Sequence, residues 1–420
     1  MRVLHINSTD YYHNGGTAIA MYRLNLGLRQ ADIDSKILCR RKTLPHFEHS
    51  IISKRPKGSK KVEKSLLKPI ASKLLGLNDV HSVSCFTVPY SRPYKEADVL
   101  NLHCIHGSFN YLILPFITKH KAAVFTFHDM WAFTGHCTYS YDCERCKTGC
   151  GKCPYPKSHP AIEKDGTALE WKLKNWIYQN SNFAIVCPSQ WMAEQAKQSM
   201  LKKFPIYHIP NGIDTEIFKP YDRDWCRSEL GISPDKKVLM FAAANLGEKR
   251  KGGDFLIQVL QTLPECIKSQ ISLLLIGDDS RGKISQDTGI EAVSLGYVRE
   301  ERLMAMAYSS ADLFLFPSLA DNLPLVLQES LACGLPIVSF KIGGIPDLVR
   351  PGITGYLAEP QNVEDFRQGL VKLLENDVLR SQMGQQSREI AEKEYALAVC
   401  SQQYIDLYQQ LLLEQAAKAA

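Results

Sequence analysis

The sequence lacks several features that mark specialised classes of protein. No apolar run among its 420 residues is long enough to span a membrane, and its start, MRVLHINSTD, has no apolar signal-peptide core. It has no low-complexity tract, and its net charge of +6 is too small to require a nucleic-acid partner. We therefore expect a cytoplasmic globular protein that does not bind nucleic acid.

A disulfide framework is also missing, although the chain has 13 cysteines. Eight of them are scattered, several within apolar runs, and an odd total in a long chain does not fit a disulfide scaffold. The other five, which include two CxxC pairs, lie in residues 135–160, a segment rich in Tyr, Gly and Pro that we interpret as an insertion. Thiolates at this spacing can hold a tetrahedral Zn²⁺, and a disulfide or redox role is the alternative.

Short apolar segments alternate with helical patterns through most of the chain. Such alternation predicts an α/β protein with parallel sheets covered by helices on both faces. The turn-rich segment Pro210–Asp214 separates two series of strands. We predict two doubly wound, Rossmann-like domains, residues 1–205 and 206–395, and a C-terminal helix, 396–420, which could cross back to the first domain. Ligands should bind in a cleft that faces the carboxyl ends of both sheets.

The segment Pro317–Val338 carries the most specific motif. It contains a strand end, a loop of small and polar residues, a helix that begins near Leu325, and Gly-Leu-Pro after that helix. Two acids, Asp321 and Glu329, have seven residues between them. This segment resembles the signature of the retaining GT-B glycosyltransferases of family 4, in the subgroup that assembles extracellular polysaccharides such as colanic acid. That family normally has Glu at the first acid, so Asp321 shortens the reach by one methylene.

The resemblance implies a GT-B fold and the transfer of a sugar from a nucleotide sugar, with retention, to a growing polysaccharide or lipid-linked oligosaccharide. The first domain would bind the acceptor and the second the nucleotide sugar. The catalytic residues that it implies are His128, Lys251, Asp321 and Glu329. The residues that it implies for donor binding are Gly15, Gly16, Asn245, Arg250, Gly277, Tyr297, Val298, Asn322, Leu323, Leu325 and Val326.

Physical chemistry supports these roles in the second domain. A diphosphate can dock where a helix begins, because unpaired N–H groups and the positive end of the helix dipole lie there. Lys251 supplies positive charge for the departing diphosphate. By spacing, the family's Arg falls on Asn245, and we hypothesise that Arg250 compensates. Glu329 is placed to accept hydrogen bonds from a ribose.

In the first domain, Gly15 and Gly16 follow the first strand, and no GxGxxG dinucleotide fingerprint is present. His128 ends another strand, where it would hold a donor-sugar hydroxyl or the acceptor, with His103 and His106 as supporting positions. No Asp-x-Asp motif lies in a convincing place, so we expect catalysis without a divalent metal. The resemblance also selects four cysteines as ligands of a structural zinc: Cys137, Cys143, Cys150 and Cys153.

A basic segment could give the protein a membrane partner. Between Lys54 and Lys73 lie eight Lys and Arg residues against one acid, Glu63, and apolar residues are interspersed among them. The pattern over residues 54–77 predicts a partly amphipathic helix, interrupted by Pro69, that could contact an anionic membrane at its inner face. A solvated helix packed on its own domain is the alternative.

Two other functions fit the same motifs. One is a nucleotide-sugar 2-epimerase of the same fold, which would need only the donor. The other is a non-catalytic protein that binds a nucleotide sugar.

Overall fold

The computed structural model describes residues 1–11, 15–278 and 283–419. These residues fall into two compact units. Unit 1 contains residues 1–211 together with the end of the chain from Cys400, and unit 2 contains Gly212–Val399. Each unit is built on one sheet, and every strand pair in both sheets is parallel.

The sheet of unit 1 has seven strands in the order β3-β2-β1-β4-β5-β6-β7. Their bounds are β1 Arg2–Thr9, β2 Asp34–Arg41, β3 Ser50–Ile52, β4 Val99–Leu102, β5 Ala122–Thr126, β6 Ala184–Cys187 and β7 Ile206–His208. Every residue of β4, β5 and β6 is buried. Burial on both faces explains why these strands are continuous apolar runs rather than alternating patterns.

Helices connect most of these parallel strands, whereas β2 and β3 are joined by residues 42–49 without a helix. Unit 1 contains α1 Gly16–Gln30, α2 Ser59–Val62, α3 Arg92–Glu96, α4 Leu114–Thr118, α5 Thr167–Gln179 and α6 Gln190–Lys197. After α2 the chain continues in π-helical geometry over Glu63–Leu67 and Ile70–Leu75. Pro69 between them keeps right-handed helical dihedral angles. The expected interruption at Pro69 is therefore wrong: the wider turn tolerates the missing proline N–H.

The sheet of unit 2 has six strands in the order β10-β9-β8-β11-β12-β13. Their bounds are β8 Lys237–Asn245, β9 Ile271–Asp278, β10 Ala292–Gly296, β11 Leu313–Phe316, β12 Ile337–Phe340 and β13 Gly355–Ala358. The helices of unit 2 are α7 Arg223–Leu230, α8 Gly253–Gln261, α9 Glu265–Lys268, α10 Lys283–Thr288, α11 Glu301–Ser310, α12 Leu325–Ala332, α13 Ile345–Leu348, α14 Val363–Leu374 and α15 Asp377–Ile390. Two apolar clusters pack against the sheet of this unit.

The last helix, α16 Leu397–Ala419, begins in unit 2 and continues in unit 1. Tyr404 and Tyr408 lie buried in an apolar cluster with residues of β1, β4, β5 and β6. The Asn101 side-chain amide donates to Tyr408 Oη at 2.7 Å, and Thr126 Oγ1 lies 3.3 Å from Tyr404 Oη. The final helix is thus part of the core of unit 1.

In each sheet the strand order reverses once, between β1 and β4 in unit 1 and between β8 and β11 in unit 2. Doubly wound sheets bind ligands beyond the carboxyl ends of the strands at this reversal. The two Rossmann-like sheets expected from the sequence are confirmed. Across the described residues, no helix has both the length and the apolar composition of a membrane span.

Candidate functional site

A row of histidines lies at the reversal point of the unit 1 sheet. His5 is inside β1, His103 directly follows β4, and His128 lies two residues after the end of β5. The His103 Nδ1 atom is 3.0 Å from His128 Nε2, and His103 Nε2 is 3.0 Å from His5 Nδ1. His5 and His103 are buried, whereas His128 is partly exposed. The sequence identified His128 and His103 but missed His5, because a histidine within an apolar strand gives no distinguishing signal.

The surroundings of these three rings favour their neutral forms. Burial lowers the pKa of His128 to about 4 and that of His5 to about 3. Burial and the two neighbouring imidazoles also hold the pKa of His103 well below its ordinary value. A pKa lowered in this way favours the neutral His128 imidazole over the imidazolium cation.

The turn after His128 is fixed by buried charge. Asp129 caps the 3₁₀ turn Met130–Phe133 by accepting from Trp131 N at 2.9 Å. Lys174, fully buried in α5, donates to the carbonyl oxygens of Trp131 at 2.7 Å and Thr134 at 3.1 Å. Its ammonium also lies 3.6 Å from the centre of the Trp131 ring. Sequence reasoning missed Lys174, since a lysine in a helix normally indicates a solvated face.

The glycine loop of unit 1 is described only in part. Gly15 has a φ of 72°, in the left-handed region that favours glycine, and α1 begins at Gly16. Residues 12–14, which precede these glycines, lie outside the described residues. The role of Gly15 and Gly16 in donor binding stays a prediction.

In unit 2 the structure brings together three of the charged residues expected at the site. Lys251 Nζ donates to Asp321 Oδ2 at 2.9 Å, and Arg250 Nη1 lies 3.3 Å from Asp321 Oδ1. Ser318, which the sequence did not suggest, also donates to Asp321 Oδ2, at 2.8 Å. Burial raises the pKa of Asp321, but the Lys251 ammonium and the Arg250 guanidinium outweigh it and hold that pKa below its ordinary value. We name these residues, Lys251, Arg250, Asp321 and Ser318, the charged cluster.

Close backbone packing fixes the two segments that carry the charged cluster. The turn Lys249–Lys251 follows β8, and the Asp321 loop follows β11. The Arg250 carbonyl accepts from Leu319 N at 2.7 Å, and Arg250 Nη1 donates to the Ala320 carbonyl at 2.9 Å. At Gly252 a Cβ atom would lie 1.9 Å from the Pro317 carbonyl oxygen, so only glycine permits this approach.

The helix that begins beyond this loop carries the second acid. Helix α12 starts at Leu325 as expected, with Pro324 before it, and Glu329 lies one turn further along. Glu329 is 7% exposed and accepts a hydrogen bond from Tyr308 Oη at 3.0 Å. Tyr308 is a buried residue of α11 and was not predicted. Asn322, Leu323 and Leu325 are buried beside the acids, and Val326 is partly buried.

The remaining donor-binding candidates of unit 2 lie at other strand ends. Gly277, near the end of β9, has a φ of 130°, and a Cβ there would lie 1.7 Å from the Ala243 carbonyl oxygen. Tyr297 follows β10 and is 54% exposed, and Val298 packs against the core. Asn245 is exposed and accepts from Gly247 N at 2.8 Å. The described contacts include no bond between the charged cluster and Asn245, Gly277 or Tyr297.

The cysteine segment does not form the expected metal site. Among the described residues, no three His, Cys, Asp or Glu side chains are arranged to hold a metal ion. Cys153 Sγ lies 3.1 Å from His136 Nε2, and Cys150 Sγ accepts from Gly135 N at 3.2 Å. Burial raises the pKa of both Cys137 and Cys150 to about 12, which favours thiols. The described residues therefore do not support the zinc set Cys137, Cys143, Cys150 and Cys153, and the sulfurs of Cys150 and Cys153 have separate protein partners.

Both units match models of glycosyltransferase families. The model of the family described as glycosyltransferase family 4 matches residues 14–217, and that described as glycosyl transferases group 1 matches residues 223–390. The putative colanic acid biosynthesis glycosyl transferase WcaC of Escherichia coli (strain K12) is 26% identical over 330 residues, which are 74% of this chain and 76% of that protein. Sulfoquinovosyl transferase SQD2 of Arabidopsis thaliana is 34% identical over 191 residues, 43% of this chain, and the match spans only 36% of that protein.

Two solved structures show the same fold. Sucrose-phosphate synthase from Thermosynechococcus elongatus has a TM-score of 0.72 at 19% identity, with 99% of this chain and 100% of that chain covered. Anabaena Alr3699/HepE in complex with UDP has a TM-score of 0.69 at 15% identity, with 98% and 100% covered. The fold is thus GT-B, with two Rossmann-like units. The two family models together match most of both units. The chain therefore belongs to the glycosyltransferases that they describe, family 4 over unit 1 and group 1 over unit 2.

Proposed function

We propose that this protein transfers a sugar from a nucleotide-sugar donor to a growing polysaccharide or lipid-linked oligosaccharide, with retention of anomeric configuration. The charged cluster of unit 2 is the observation that carries the proposal. It pairs two cations with a carboxylate that lies four residues before α12, a helix whose first turn suits a diphosphate. WcaC, similar along three quarters of the chain, is named for colanic acid biosynthesis, which supports a polysaccharide acceptor.

The chemistry follows from charge placement. Cleavage of the bond between sugar and diphosphate develops negative charge on the leaving phosphate, and Lys251 and Arg250 stabilise that charge. Asp321 holds these cations in position before the donor binds and reaches a hydroxyl of the donor sugar. Glu329, oriented by Tyr308, accepts from the ribose. The departing phosphate takes the acceptor proton, so the protein positions the two substrates and supplies no permanent nucleophile.

Nucleotide binding is the first test. We expect UDP, the nucleotide named with Alr3699/HepE, or another nucleoside diphosphate to raise the melting temperature, because a ligand that binds the native state stabilises it. Lys251→Ala should weaken nucleotide affinity about tenfold or more, as expected for loss of a hydrogen bond to a charged group. Lys249→Ala is the matched control, since Lys249 is an exposed lysine of the same turn. Equal effects of the two substitutions would contradict the proposal.

Sugar transfer is the second test. The nucleotide sugar that binds is incubated with and without a lipid-linked oligosaccharide, and the anomeric configuration of the product is read from the coupling of its anomeric proton. Transfer that requires the acceptor and retains configuration is the expected result. Conversion of the donor alone would point to an epimerase, and binding without either reaction would reject catalysis.

We also propose that residues 54–77 contact an anionic membrane surface. Val62, Leu66, Ile70 and Leu74 recur every four residues along the helix and are 42–62% exposed. Five lysines of the same helix are also exposed: Lys60, Lys61, Lys64, Lys68 and Lys73. An exposed apolar row flanked by lysines suits insertion between anionic lipid headgroups. Such contact would bring the protein to a lipid-linked acceptor at the inner face of the membrane.

Vesicle co-sedimentation tests this second proposal. Vesicles of equal parts phosphatidylcholine and phosphatidylglycerol should bind the protein, and vesicles of phosphatidylcholine alone should not. The pair Leu66→Ser and Leu74→Ser should reduce binding about tenfold or more, because each leucine loses its apolar contact with lipid. Leu413→Ser, at a leucine that is 73% exposed elsewhere, is the control. Equal binding to both kinds of vesicle would reject the proposal.

A further inference from the structure

The carboxylate of Asp321 is held by a buried serine of its own loop. Ser318 lies two residues after the end of β11 and has no solvent exposure. Its Oγ atom is 2.8 Å from Asp321 Oδ2, 3.1 Å from the Arg250 carbonyl oxygen and 3.5 Å from the Ala320 carbonyl oxygen. The Lys251 ammonium donates to the same carboxylate oxygen, Oδ2, at 2.9 Å. One oxygen of Asp321 therefore accepts from both a hydroxyl and an ammonium.

The single hydroxyl hydrogen of Ser318 is directed to this carboxylate. A hydroxyl donates one hydrogen bond at a time, and each of its three neighbours is an oxygen that accepts. Although burial raises the pKa of Asp321, Lys251 and Arg250 hold it below its ordinary value, which favours the ionised carboxylate. A hydrogen bond to an ionised acceptor is about twice as strong as one to a neutral carbonyl. The closest contact of the hydroxyl, at 2.8 Å, is thus also the strongest one.

The two cations of the charged cluster hold the carboxylate less directionally than Ser318 does. The Lys251 ammonium is a point charge at the end of a flexible four-carbon chain. The Arg250 guanidinium contacts Asp321 Oδ1 at 3.3 Å, a longer distance than the one from Ser318 Oγ. Ser318 Oγ is separated from the backbone by a single rotatable bond, so its position follows from the loop. Ser318 is therefore the group that decides which oxygen of Asp321 faces Lys251.

The backbone around this pair is also fixed. The residue after Ser318 donates its N–H to the Arg250 carbonyl oxygen at 2.7 Å. On the other side, Gly344 N donates to the Asp321 carbonyl oxygen at 3.3 Å. A Cβ atom at Gly343 would lie 2.0 Å from that same carbonyl oxygen, so the two segments are in close contact there. The loop cannot move the Ser318 hydroxyl away from Asp321 without breaking these contacts.

We infer that Ser318 is a positioning residue of the glycosyltransferase site: it fixes the rotamer of Asp321, and through Asp321 it sets the position of the Lys251 ammonium for the diphosphate of the donor. An ammonium has three N–H donors, and the hydrogen bonds described for Lys251 use one of them, for Asp321. The other two can bind phosphate oxygens from the position that this bond determines. The link to a diphosphate rests on the proposed function, whereas the link from Ser318 to Lys251 does not.

Competitive acetylation measures the link from Ser318 to Lys251 without any nucleotide. The protein is treated with a limiting amount of acetic anhydride, and the peptide 249–253, cut after Glu248 and before Asp254, gives the ratio of acetylated Lys251 to acetylated Lys249. In the wild type Lys251 should react more slowly than Lys249. The reason is that Lys251 is bonded to a carboxylate and its side chain is 17% exposed, whereas Lys249 is exposed.

Variants then show whether the serine acts through the carboxylate. Ser318→Ala should raise the ratio about 2- to 12-fold, the range expected for loss of one hydrogen bond. Ser318→Thr keeps a hydroxyl and should restore the wild-type ratio. Asp321→Asn should also raise the ratio, because Lys251 loses its anionic partner, and adding Ser318→Ala should raise it no further. Ser310→Ala is the matched control: it removes another fully buried serine hydroxyl of unit 2, which donates to Ala307 O at 2.8 Å.

Three results would overturn the inference. One is an unchanged ratio in Ser318→Ala. The second is a further rise when Ser318→Ala is added to Asp321→Asn. The third is a wild-type Lys251 that reacts as fast as Lys249, and this result needs no variant that folds.

Affinity for UDP separates this inference from the proposed function. Ser318→Ala should weaken UDP binding about 2- to 12-fold, and Ser318→Thr and Ser310→Ala should not. If the acetylation ratios are as expected but UDP does not bind the wild type, the proposed donor site is wrong and the link from Ser318 to Lys251 stands. If UDP binds equally well to the wild type and to Ser318→Ala, Ser318 does not position the cluster for a diphosphate.

Discussion

Replacement of Lys174 by methionine should destabilise unit 1 strongly while keeping the volume of the side chain. Lys174 has no solvent exposure, and its ammonium bonds the carbonyl oxygens of Trp131 and Thr134 and contacts the Trp131 ring. Glu170 lies 3.9 Å away and is equally buried. Methionine would fill the space but leave both carbonyl groups without a donor.

The contacts of Lys174 set the size of the expected loss in the free energy of unfolding. Loss of a hydrogen bond from a charged donor costs about 1.5–3 kcal/mol, and the contact with the tryptophan ring adds up to about 2 kcal/mol. Release of the buried ammonium from its desolvation offsets part of this loss. We expect a net decrease of about 3–5 kcal/mol in the free energy of unfolding of unit 1, as for other broken buried ion pairs.

The pH dependence gives the same prediction a second readout. Burial raises the pKa of Glu170 to about 7, against the lowering effect of Lys174. Without Lys174 that pKa rises further, so the native state holds the Glu170 proton to higher pH than the unfolded state does. Stability falls with pH wherever the native state binds more protons, so the cost of Lys174→Met should be larger at pH 8 than at pH 6.

Urea unfolding combined with hydrogen exchange measures this cost. Peptides that cover Met130–Phe133 and α5 report on the affected region, because the two units need not unfold together. Lys172→Met in the same helix is the control, since Lys172 is exposed and its replacement should change stability by less than about 0.5 kcal/mol. A cost for Lys174→Met within about 1 kcal/mol of this control, or one that shrinks as pH rises, would refute the reasoning.

Two further substitutions test other parts of the fold. Tyr408→Phe should lower the free energy of unfolding of unit 1 by about 1–3 kcal/mol, because the buried Asn101 amide loses its acceptor. The measurement is the urea denaturation midpoint, which should fall. An unchanged midpoint would mean that water replaces the tyrosine hydroxyl. Gly252→Ala should cost more than Gly231→Ala in the urea midpoint of unit 2. Both glycines have positive φ angles, which costs alanine about 1–2 kcal/mol, but only Gly252 also approaches the Pro317 carbonyl oxygen. Equal decreases in the urea midpoint for the two substitutions would show that the segment around Gly252 moves away from Pro317 without strain.

The second unit was the more predictable part of the site. The apolar run that ends at Phe316 and the small, polar loop after it predicted a strand followed by a helix at Leu325, and α12 begins there. Sequence could not predict that Lys251 bonds Asp321, because the two are 70 residues apart and meet only through the adjacency of β8 and β11. Tyr308 was missed for a related reason: a tyrosine on the apolar face of a helix is typical of core packing, and its hydroxyl partner is invisible in one sequence.

The errors also have physical causes. Spacing and the family resemblance together suggested zinc in the cysteine segment, but neither fixes the direction of each thiol. His136 and Gly135 N bond two of these sulfurs. Strand β13 begins at Gly355, and because glycine normally weakens a strand, the sequence gives little signal for it. A Cβ at Gly355 would lie 1.9 Å from the Ile337 carbonyl oxygen, so close strand packing demands glycine there.

The last helix has a consequence for how the chain matures during synthesis. Tyr404 and Tyr408 complete the core of a unit whose other residues end at Asn211, yet they leave the ribosome after all of Gly212–Val399. Unit 1 is therefore translated first but completed last. Unit 2 can fold before the side chains of Asn101 and Thr126 form their hydrogen bonds with Tyr408 and Tyr404. A nascent chain that stalls within those 188 residues would expose an apolar face of its first sheet, which makes it a substrate for chaperones or proteases until translation ends.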